Sequence, residues 1–438
     1  MYAVIGAGPM GLATARNLKK YGIPFVGLDL NVDVGGLWDI DNPHSTMYES
    51  AHLISSKEMT EFKEFPMAND AATYPHHSEM KRYFQHYAAY FELYEHYEFS
   101  TQVVKVERND DKWLVTTEAN GEEQCRRFSG VLIASGTLHK PNMLNLPGAF
   151  DGERMHSCEY RHPSCFDNKR VLVVGCGNSA CDIAVDAVHR AASVDMSVRR
   201  GYYFLPKFIG GKATDSIGGK IKLPRTIKQV VDDRLIRMII GKPSDYGLPD
   251  PDYKLYESHP VINSLVLHYI GHGDITPRRD ISAVSGKTVV FADGQSRDYD
   301  LILMGTGYTL DYPFIDPAYL NWGNSDAPQL YLNVFNPEHR NLFMMGMVEA
   351  AGLGWEGRNE QAEMVALYIR ASQQGNPAAK QLDETVRQKA GTSLDGGYAY
   401  LKLARMAYYV NKDSYRKAVN THIAALKKGR RDGSAFRK

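Results

Sequence analysis

The feature that most constrains this chain is a glycine-rich turn that occurs twice, each time between an apolar strand and a helix. Residues 3–14 read AVIGAGPMGLAT, and residues 171–186 read VLVVGCGNSACDIAVD. In such a turn the first glycine permits a tight bend, and the second lets a pyrophosphate approach the backbone. The third small residue lets helix and strand pack closely. The repeat therefore predicts two dinucleotide sites in one chain, each on a parallel sheet covered on both faces.

The two units differ where the next strand ends, which is where the ribose is recognised. The first unit has Asp29 there, and a carboxylate accepts hydrogen bonds from ribose hydroxyls and repels a 2′-phosphate. The second unit has Arg199 and Arg200, and a guanidinium is a planar fork suited to phosphate. We therefore expect FAD in the first site and NADPH in the second. One chain that holds both is a flavoenzyme that NADPH reduces.

Cysteine content and charge narrow the class of protein further. The chain has five cysteines and no CxxC pair, so neither a disulfide framework nor a dithiol redox centre is expected, and O2 becomes the natural acceptor of electrons. Basic and acidic residues balance at 51 each, which gives no field for nucleic acid. No apolar run approaches the ~20 residues of a membrane span, and no secretion signal is visible. We expect a cytoplasmic protein without a metal site.

The order of predicted elements indicates an α/β fold with two Rossmann-like dinucleotide-binding domains, the NADPH domain inserted into the FAD domain. Strands are predicted at 102–108, 112–118 and 130–136, a hairpin with an Asp-Gly turn within 287–308, and helices within 76–96, near 226–241 and at 359–373. We place the first part of the FAD domain at 1–160, the NADPH domain at 161–299, and the second part of the FAD domain with C-terminal helices at 300–438.

A third motif stands directly before the second glycine turn. Residues 150–160, FDGERMHSCEY, fit the pattern F-x-G-x-x-x-H-x-x-x-Y, in which His156 and Tyr160 are the last two specified residues. Further segments are GGLW (35–38), SKEM (56–59), EFP (64–66), VRRG (198–201), GTGY (305–308) and the stretch 323–349. In this order they cover nearly the whole chain, which resembles the class B flavin-containing monooxygenases. Tyr160 at the end of the motif resembles the branch of the family that oxygenates nitrogen and sulfur, since the Baeyer–Villiger branch more often has Trp at this position.

The resemblance implies an NADPH-dependent flavin monooxygenase that inserts one oxygen atom from O2 into an amine nitrogen or a sulfide sulfur of a small molecule. It implies a C4a-hydroperoxyflavin as the oxygenating species, and it allows a homodimer. The residues it predicts to contact the cofactors are Gly6, Ala7, Gly8, Pro9, Met10, Gly11, Asp29, Gly36, Leu37, Trp38, Val104, Ala134, Ser135, Gly136, His156, Gly175, Gly177, Asn178, Ser179, Ala180, Arg199, Arg200, Thr306, Gly307, Glu349 and Gln361. His156 is either a hydrogen-bonding post in the linker between domains or a proton donor.

Two positions depart from the family pattern. The family usually has N-x-S-K-E, and this chain has Ile54 where that Asn would stand, so the amide hydrogen bond beside the flavin is lost. His52, Ser55, Ser56 or Lys57 could compensate for that loss. Our candidate catalytic residues are Ile54, Ser56 and His52. Glu349 stands where relatives often have Gln, and its carboxylate could alter the flavin potential or bind a cationic substrate.

Several functions stay open at this point. An NADPH oxidase that releases hydrogen peroxide follows if Ile54 leaves the oxygenating species unprotected. A Baeyer–Villiger monooxygenase is disfavoured by Tyr160. A redox-responsive binding protein would use the nucleotide as a sensor. The substrate is not readable from residues 205–285, although Asn263 in HPVINS is a candidate cleft residue or, equally, part of a surface loop.

Overall fold

The first of two parallel sheets carries the first glycine turn. A computed structural model describes residues 1–217 and 224–428. The strands of this sheet lie in the spatial order Leu342–Met344, Gly130–Ile133, Tyr2–Ile5, Phe25–Leu28 and Tyr97–Glu98. The chain turns from Tyr2–Ile5 into helix Pro9–Lys20, which packs against the long helix Gly354–Gln373. The four residues of Tyr2–Ile5 are all buried, as expected for a strand covered on both faces. We call this sheet and the elements packed on it the first lobe.

The second parallel sheet carries the second glycine turn and repeats the same plan. Its strands lie in the order Glu153–His156, Leu301–Met304, Arg170–Val174, Ser193–Ser197 and Ile275–Arg278. Helix Asn178–Val188 follows the turn and covers a core of aliphatic side chains. We call this sheet and its helices the second lobe. The predicted fold, two Rossmann-like units in one α/β chain, is confirmed.

Smaller antiparallel elements complete the sheets. A three-stranded sheet contains Gln102–Asn109, Lys112–Ala119 and Glu122–Phe128. A four-stranded sheet contains Ser296–Asp298, Thr288–Phe291, Ile281–Gly286 and Gly148–Phe150, and its first two strands form the predicted Asp-Gly hairpin. Two-stranded ribbons join Phe208–Ile209 to Lys212–Ala213 and Lys140–Pro141 to Tyr308–Thr309.

The remaining α-helices within residues 1–217 and 224–428 pack around the sheets. They are Lys57–Thr60, His77–Tyr90, Thr214–Ile217, Arg225–Ile240, Leu265–His272, Pro377–Lys389 and Lys412–Lys428. Helix Arg225–Ile240 was predicted within one residue at each end. Helix Gly354–Gln373 begins five residues before the predicted start at 359, and Leu265–His272 lies in a region predicted to be irregular.

The second sheet extends past both predicted domain boundaries. Glu153–His156 pairs in parallel with Leu301–Met304, and both strands belong to the second sheet although 160 and 300 were the predicted limits of the first domain. The reason is that a strand in the linker can join either sheet, and its sequence does not predict which strand it pairs with. We propose boundaries just before Glu153 and just after Met304. Residues 429–438 of the predicted third segment lie outside the described residues.

Candidate functional site

Two glycines of the first turn have no room for a side chain. Gly6 has φ +109°, and a Cβ on it would lie 2.5 Å from the carbonyl oxygen of Ala134. A Cβ on Gly11 would lie 1.9 Å from the carbonyl oxygen of Gly6. Gly8 caps helix Pro9–Lys20, whose first turn has no acidic side chain. The free N–H groups at this helix start are therefore available to a phosphate.

Asp29 joins the end of the second strand to the glycine turn. Its carboxylate accepts the backbone N–H of Ala7 at 2.5 Å and both the N–H and Nδ2 of Asn31 at 2.7 and 2.9 Å. Burial raises the pKa of Asp29, and these hydrogen bonds oppose the rise. A carboxylate can accept about four hydrogen bonds, so Asp29 can hold the turn and still accept from a ribose.

The GGLW segment closes the first turn from the other side. The N–H of Gly35 donates to the carbonyl of Ala7 at 3.0 Å, and a Cβ on Gly36 would lie 3.0 Å from Cα of Gly8. Trp38 faces Trp355 edge-on, with ring centroids 6.2 Å apart. The carbonyl of Leu37 accepts a hydrogen bond from Ser45. The segment thus covers the turn with backbone only, which leaves room for a ligand's phosphates.

The remaining predicted residues of the first site lie on neighbouring loops. The hydroxyl of Ser135 is buried and has no hydrogen-bond partner among the described residues, and Gly136 follows it with φ +86°. The N–H of Thr101 donates to the carbonyl of Asp29, and Val104 is the extra residue of a β-bulge three positions later. Met10 packs against Gly346, where a Cβ would lie 2.7 Å from Met10 Cγ. The orphaned hydroxyl and the open cradle fit a bound FAD.

The second glycine turn repeats this construction. Gly175 has φ +116°, and a Cβ on it would lie 2.5 Å from the carbonyl oxygen of Gly305. A Cβ on Gly305 would in turn meet Cβ of Ala180 at 2.5 Å. Gly177 caps helix Asn178–Val188, and Ser179 is exposed beside it. Asn178 accepts the N–H of Ile262 at 2.7 Å, which ties residues 258–263 to the turn.

The two arginines predicted to bind the 2′-phosphate follow strand Ser193–Ser197. Arg199 is exposed and makes no ion pair with any residue that the structure describes. Arg200 is half-buried, with Nε 3.9 Å from a carboxylate oxygen of Asp252. An unpaired arginine at the end of this strand fits the 2′-phosphate of NADPH.

His156 is a buried hydrogen-bonding post. Its Nδ1 accepts the N–H of Cys158 at 3.1 Å, so Nε2 carries the proton and donates to the carbonyl of Gly307 at 3.0 Å. Burial lowers the pKa of His156, which favours this neutral form. Thr306 donates to the carbonyl of Asn142 at 2.5 Å. Together these contacts hold the GTGY segment, and we propose that His156 positions it.

The candidate catalytic segment is joined to the second lobe. Ile54 is half-buried and Ser56 is fully buried. The N–H of Ser56 donates at 2.7 Å to Asp215, which lies on the short helix Thr214–Ile217. The hydroxyl of Ser56 and the other carboxylate oxygen of Asp215 are buried without partners in the described residues. His52 is exposed, and its Nδ1 forms a hydrogen bond with the carbonyl of Ser50. This nitrogen is therefore not free to replace the missing amide at position 54.

Glu349 is already paired. Its carboxylate accepts Nη2 and Nε of Arg405 at 2.7 and 2.8 Å, and its backbone bridges Tyr409. Gln361, fully buried, accepts the N–H of Gly346 at 2.8 Å and donates to Tyr415 at 2.6 Å. We therefore propose that Glu349 and Gln361 shape the loop that precedes helix Gly354–Gln373.

Glu349→Gln tests whether this carboxylate is available to a substrate. Because Arg405 is about half-exposed, the pair contributes about 1 kcal/mol to the free energy of unfolding. We expect Glu349→Gln to lose that amount and to change the KM for an amine less than about twofold. A double-mutant cycle with Arg405→Gln should give a coupling free energy between the two side chains of the same size. A KM that rises tenfold with unchanged stability would instead assign Glu349 to the substrate.

His259 was not predicted from the sequence. It lies between the second lobe and the Glu349 loop, and its Nδ1 is 3.3 Å from the hydroxyl of Tyr409, which accepts the N–H of Ala351 at 3.0 Å. Its Nε2 is buried and has no partner among the described residues. Burial, and next the charge of Arg405, lower the pKa of His259 to about 4. The sequence HPVINS gives no sign that its histidine differs from an ordinary loop residue. Only the contacts with residues 405–409 show that its imidazole is shielded from solvent.

The pKa of His259 makes stability depend on pH. The unfolded chain protonates this side chain near its ordinary pKa of 6.5, whereas the folded protein resists protonation until about 4. Stability is therefore lost as pH falls through this window, by up to about 3 kcal/mol. We expect His259→Gln to flatten the decline of unfolding free energy between neutral pH and about pH 4. If the unfolding free energy falls equally with pH in both proteins, the pKa of His259 is not lowered on folding.

The comparisons with known proteins identify the family. The sequence profile described as "Flavin-binding monooxygenase-like" matches residues 1–426, and the chain belongs to this family of flavin-containing monooxygenases. It is 31% identical over 374 residues to "Dimethylaniline monooxygenase [N-oxide-forming] 2" of Rattus norvegicus, covering 80% of this chain and 69% of that protein. It is 31% identical over 394 residues to human "Flavin-containing monooxygenase 2", covering 84% and 73%. The protein is an FAD- and NADPH-dependent monooxygenase.

Solved structures confirm the two-domain fold. An S-allyl-L-cysteine S-oxygenase from Allium sativum aligns at TM-score 0.67 and 19% identity, covering 98% of this chain and 92% of that one. NADP⁺-bound cyclohexanone monooxygenase from Rhodococcus sp. Phi1 aligns at TM-score 0.72 and 18% identity, covering 98% and 97%. The fold alone therefore does not separate the oxygenating branches. Among the described residues, no helix has the length and apolar character to cross a bilayer.

Proposed function

We propose that this enzyme is an N- or S-oxygenase of small amines or sulfides that consumes one NADPH and one O2 per product. The observation that carries the proposal is the pair of glycine turns with opposite ribose chemistry, Asp29 at one and Arg199 at the other. The rat relative named as N-oxide-forming, at 31% identity, supports nitrogen or sulfur as the acceptor atom over a ketone. Tyr160 in the linker motif supports the same branch.

The residues act by binding, positioning and excluding water. When bound, FAD supplies the oxygen chemistry and NADPH supplies the electrons. The helix start after Gly8 would hold the FAD pyrophosphate, and that after Gly177 would hold the pyrophosphate of NADPH. His156 holds the GTGY segment, and Asp215 holds the Ser56 turn against the second lobe. A closed cleft between the lobes would keep water from the reacting atoms.

The substrate region we favour is the junction of the two lobes near Ile54 and His259. The hydrogen bonds that cross it include those of Ser56 with Asp215, of Tyr48 with Asp182 at 3.0 Å, and of His259 with Tyr409. Asn263 donates to the same Asp182 at 2.5 Å, so we propose that it positions the helix after the second turn and does not contact the substrate. The domain boundaries and a homodimer stay proposals.

The proposal is tested by the hydrogen peroxide formed per NADPH consumed in air. We expect slow NADPH consumption alone, and faster consumption with one class of compound in a panel of amines and sulfides, without a matching release of peroxide. Peroxide equal to NADPH with every compound would favour the second candidate, an NADPH oxidase. That candidate rests on Ile54, which cannot donate the hydrogen bond that the family's Asn supplies.

Ile54→Asn separates an intrinsic oxidase from an enzyme that lacks its substrate. An added hydrogen bond from a side-chain amide is worth about 1 kcal/mol, so we expect the peroxide released per NADPH to fall about fivefold. Ile54→Leu keeps the apolar character and should leave the ratio unchanged. If both variants match the parent enzyme, Ile54 does not control how the reaction partitions.

A further inference from the structure

Two buried polar atoms at the junction of the lobes have no hydrogen-bond partner among the described residues. They are Oγ of Ser56 and Oδ1 of Asp215. The two residues are joined by the 2.7 Å hydrogen bond from the N–H of Ser56 to Oδ2 of Asp215, and Ser56 is fully buried. Buried polar atoms of native proteins are nearly always satisfied, so two unpartnered atoms on one bonded pair of residues indicate a group that binds there.

The neighbouring hydroxyl groups of the first lobe do have partners. Oγ of Ser55 lies 2.6 Å from Oγ1 of Thr60, and Thr60 donates to the carbonyl of Ser56 at 2.8 Å. The hydroxyl of Tyr74 donates to the carbonyl of Lys207. The unpartnered hydroxyl of Ser56 is therefore specific to this position and does not reflect a loosely packed turn.

The second lobe fixes the position of Asp215. The N–H of Thr214 donates to the carbonyl of Lys207 at 3.0 Å, and its hydroxyl donates to the carbonyl of Pro206 at 2.5 Å. These bonds hold the start of the short helix that carries Asp215. The carboxylate is thus presented to the first lobe by a preformed segment, and one of its oxygens already bonds to the Ser56 turn.

The carboxylate of Asp215 has no cation beside it. Within the part of the chain that the structure describes, Oδ2 accepts only the N–H of Ser56 and Oδ1 accepts nothing. Lys207 places its Nζ over the ring of Tyr74, 5.2 Å from the ring centroid. Burial, and next the charge of Asp215, raise the pKa of Tyr74 to about 12. A buried acceptor oxygen without a donor or a cation is costly, so this point favours a positively charged N–H donor over a neutral ligand.

We propose that Asp215 and Ser56 bind an ammonium group of the substrate, and we call this pair the ammonium site. An ammonium has N–H donors for both Oδ1 of Asp215 and Oγ of Ser56, and its charge matches the carboxylate. The oxygenated atom is a different one, because it needs a free electron pair that an ammonium lacks. The substrates are therefore small molecules that carry a cationic nitrogen in addition to the sulfide sulfur or amine nitrogen that is oxygenated. This inference rests on the proposed function, whose substrate region includes Ile54, two residues before Ser56.

Two other assignments are weaker. Glu349, the carboxylate that the sequence suggested for a cationic substrate, is already paired with Arg405. The carboxamide of a nicotinamide also has N–H donors, but it is neutral and would leave the charge of Asp215 unmatched. Binding of the nicotinamide at this pair is therefore one outcome of the test.

The test measures binding without turnover, on FAD-loaded enzyme in the absence of NADPH. The probes are n-butylammonium and n-butanol, which are similar in size and differ in charge, and calorimetry gives their dissociation constants. We expect the parent enzyme to bind butylammonium at least about tenfold more tightly than butanol. Asp215→Asn keeps an oxygen for the N–H of Ser56 and removes the charge. It should weaken butylammonium binding about tenfold or more and change butanol binding less than about twofold.

Two further variants serve as rescue and control. Asp215→Glu keeps the charge and should retain the preference for butylammonium. Glu58→Gln removes an exposed carboxylate from the helix that follows Ser56, with the same change of net charge, and should leave both dissociation constants within about twofold. In turnover, Asp215→Asn should raise the KM for S-methylcysteamine about tenfold and leave the KM for its alcohol analogue unchanged.

Three results would overturn the proposal. The first is equal binding of the two probes by the parent enzyme, a comparison that needs no variant. The second is butylammonium binding that Asp215→Asn leaves unchanged. The third is a variant Asp215→Asn that raises the KM for NADPH and NADH equally and binds butylammonium normally, which would assign the pair to the nicotinamide. Butylammonium binding that depends on Asp215, in an enzyme whose NADPH consumption all appears as peroxide, would retain the ammonium site and reject the proposed function. Circular dichroism and flavin content check that each variant is folded.

Discussion

Gly11→Ala is expected to yield a protein that purifies without FAD. The new Cβ would lie 1.9 Å from the carbonyl oxygen of Gly6, which is backbone and cannot rotate away. The helix start must therefore shift, and the N–H groups that would hold the pyrophosphate move with it. Overpacking of this kind costs about 1–3 kcal/mol of stability. We expect FAD affinity to fall more than about a hundredfold, measured by flavin absorbance after gel filtration and by titration of the stripped protein.

The matched control is Gly271→Ala. Gly271 also lies in a helix, Leu265–His272, but a Cβ there meets nothing within 4 Å. Alanine has the higher helix propensity, so this variant should keep its FAD and gain slightly in stability. Normal FAD content in Gly11→Ala would contradict the assignment of the first turn to the flavin.

Arg199→Ala is expected to raise the KM for NADPH about ten- to a hundredfold and to leave the KM for NADH nearly unchanged. The loss corresponds to one charge-assisted hydrogen bond to phosphate, about 1.5–3 kcal/mol. Arg200→Ala should have a smaller effect, because Arg200 already has Asp252 near it. The measurement is initial-rate kinetics with each nucleotide at one fixed ionic strength, since exposed charges are screened by salt.

Arg190→Ala is the control for this experiment. Arg190 is an exposed arginine of the same lobe, paired with Asp167 beyond the far end of helix Asn178–Val188. Its loss should change neither KM. Equal increases for NADPH and NADH in Arg199→Ala would show that Arg199 does not read the 2′-phosphate.

The glycine turns were predictable because their chemistry is local. Gly6, Gly8 and Gly11 fulfil their roles within one strand–turn–helix, and each needs only its near neighbours in sequence. The carboxylate of Asp29 and the guanidinium of Arg199 were predictable for a similar reason, since each follows a strand that the turn itself places in the sheet. In the described structure both turns have the geometry that the spacing predicted.

The rest of the site depends on contacts between distant segments. His259 is half-buried, and its imidazole lies beside Tyr409 and Arg405, which follow it by 150 and 146 positions. Glu349 was a candidate for altering the flavin potential or binding a cationic substrate, but its carboxylate is paired with Arg405. The pairing of Glu153–His156 with Leu301–Met304 was not predictable, because the sequence of a short apolar strand does not specify which strand it pairs with. The exposure of Met238 on helix Arg225–Ile240 could not be predicted for a similar reason. A helical period indicates which residues share a face, but it does not indicate whether that face points inward or outward.

The central claim is that oxygen from O2 enters the product. The most direct measurement is turnover with isotopically labelled O2, NADPH and the compound that most accelerates NADPH consumption, followed by mass spectrometry of the product. We predict one labelled oxygen atom on nitrogen or sulfur, in an amount equal to the NADPH consumed. Unlabelled compound recovered intact, with all the label in hydrogen peroxide, would contradict the claim and make the enzyme an oxidase.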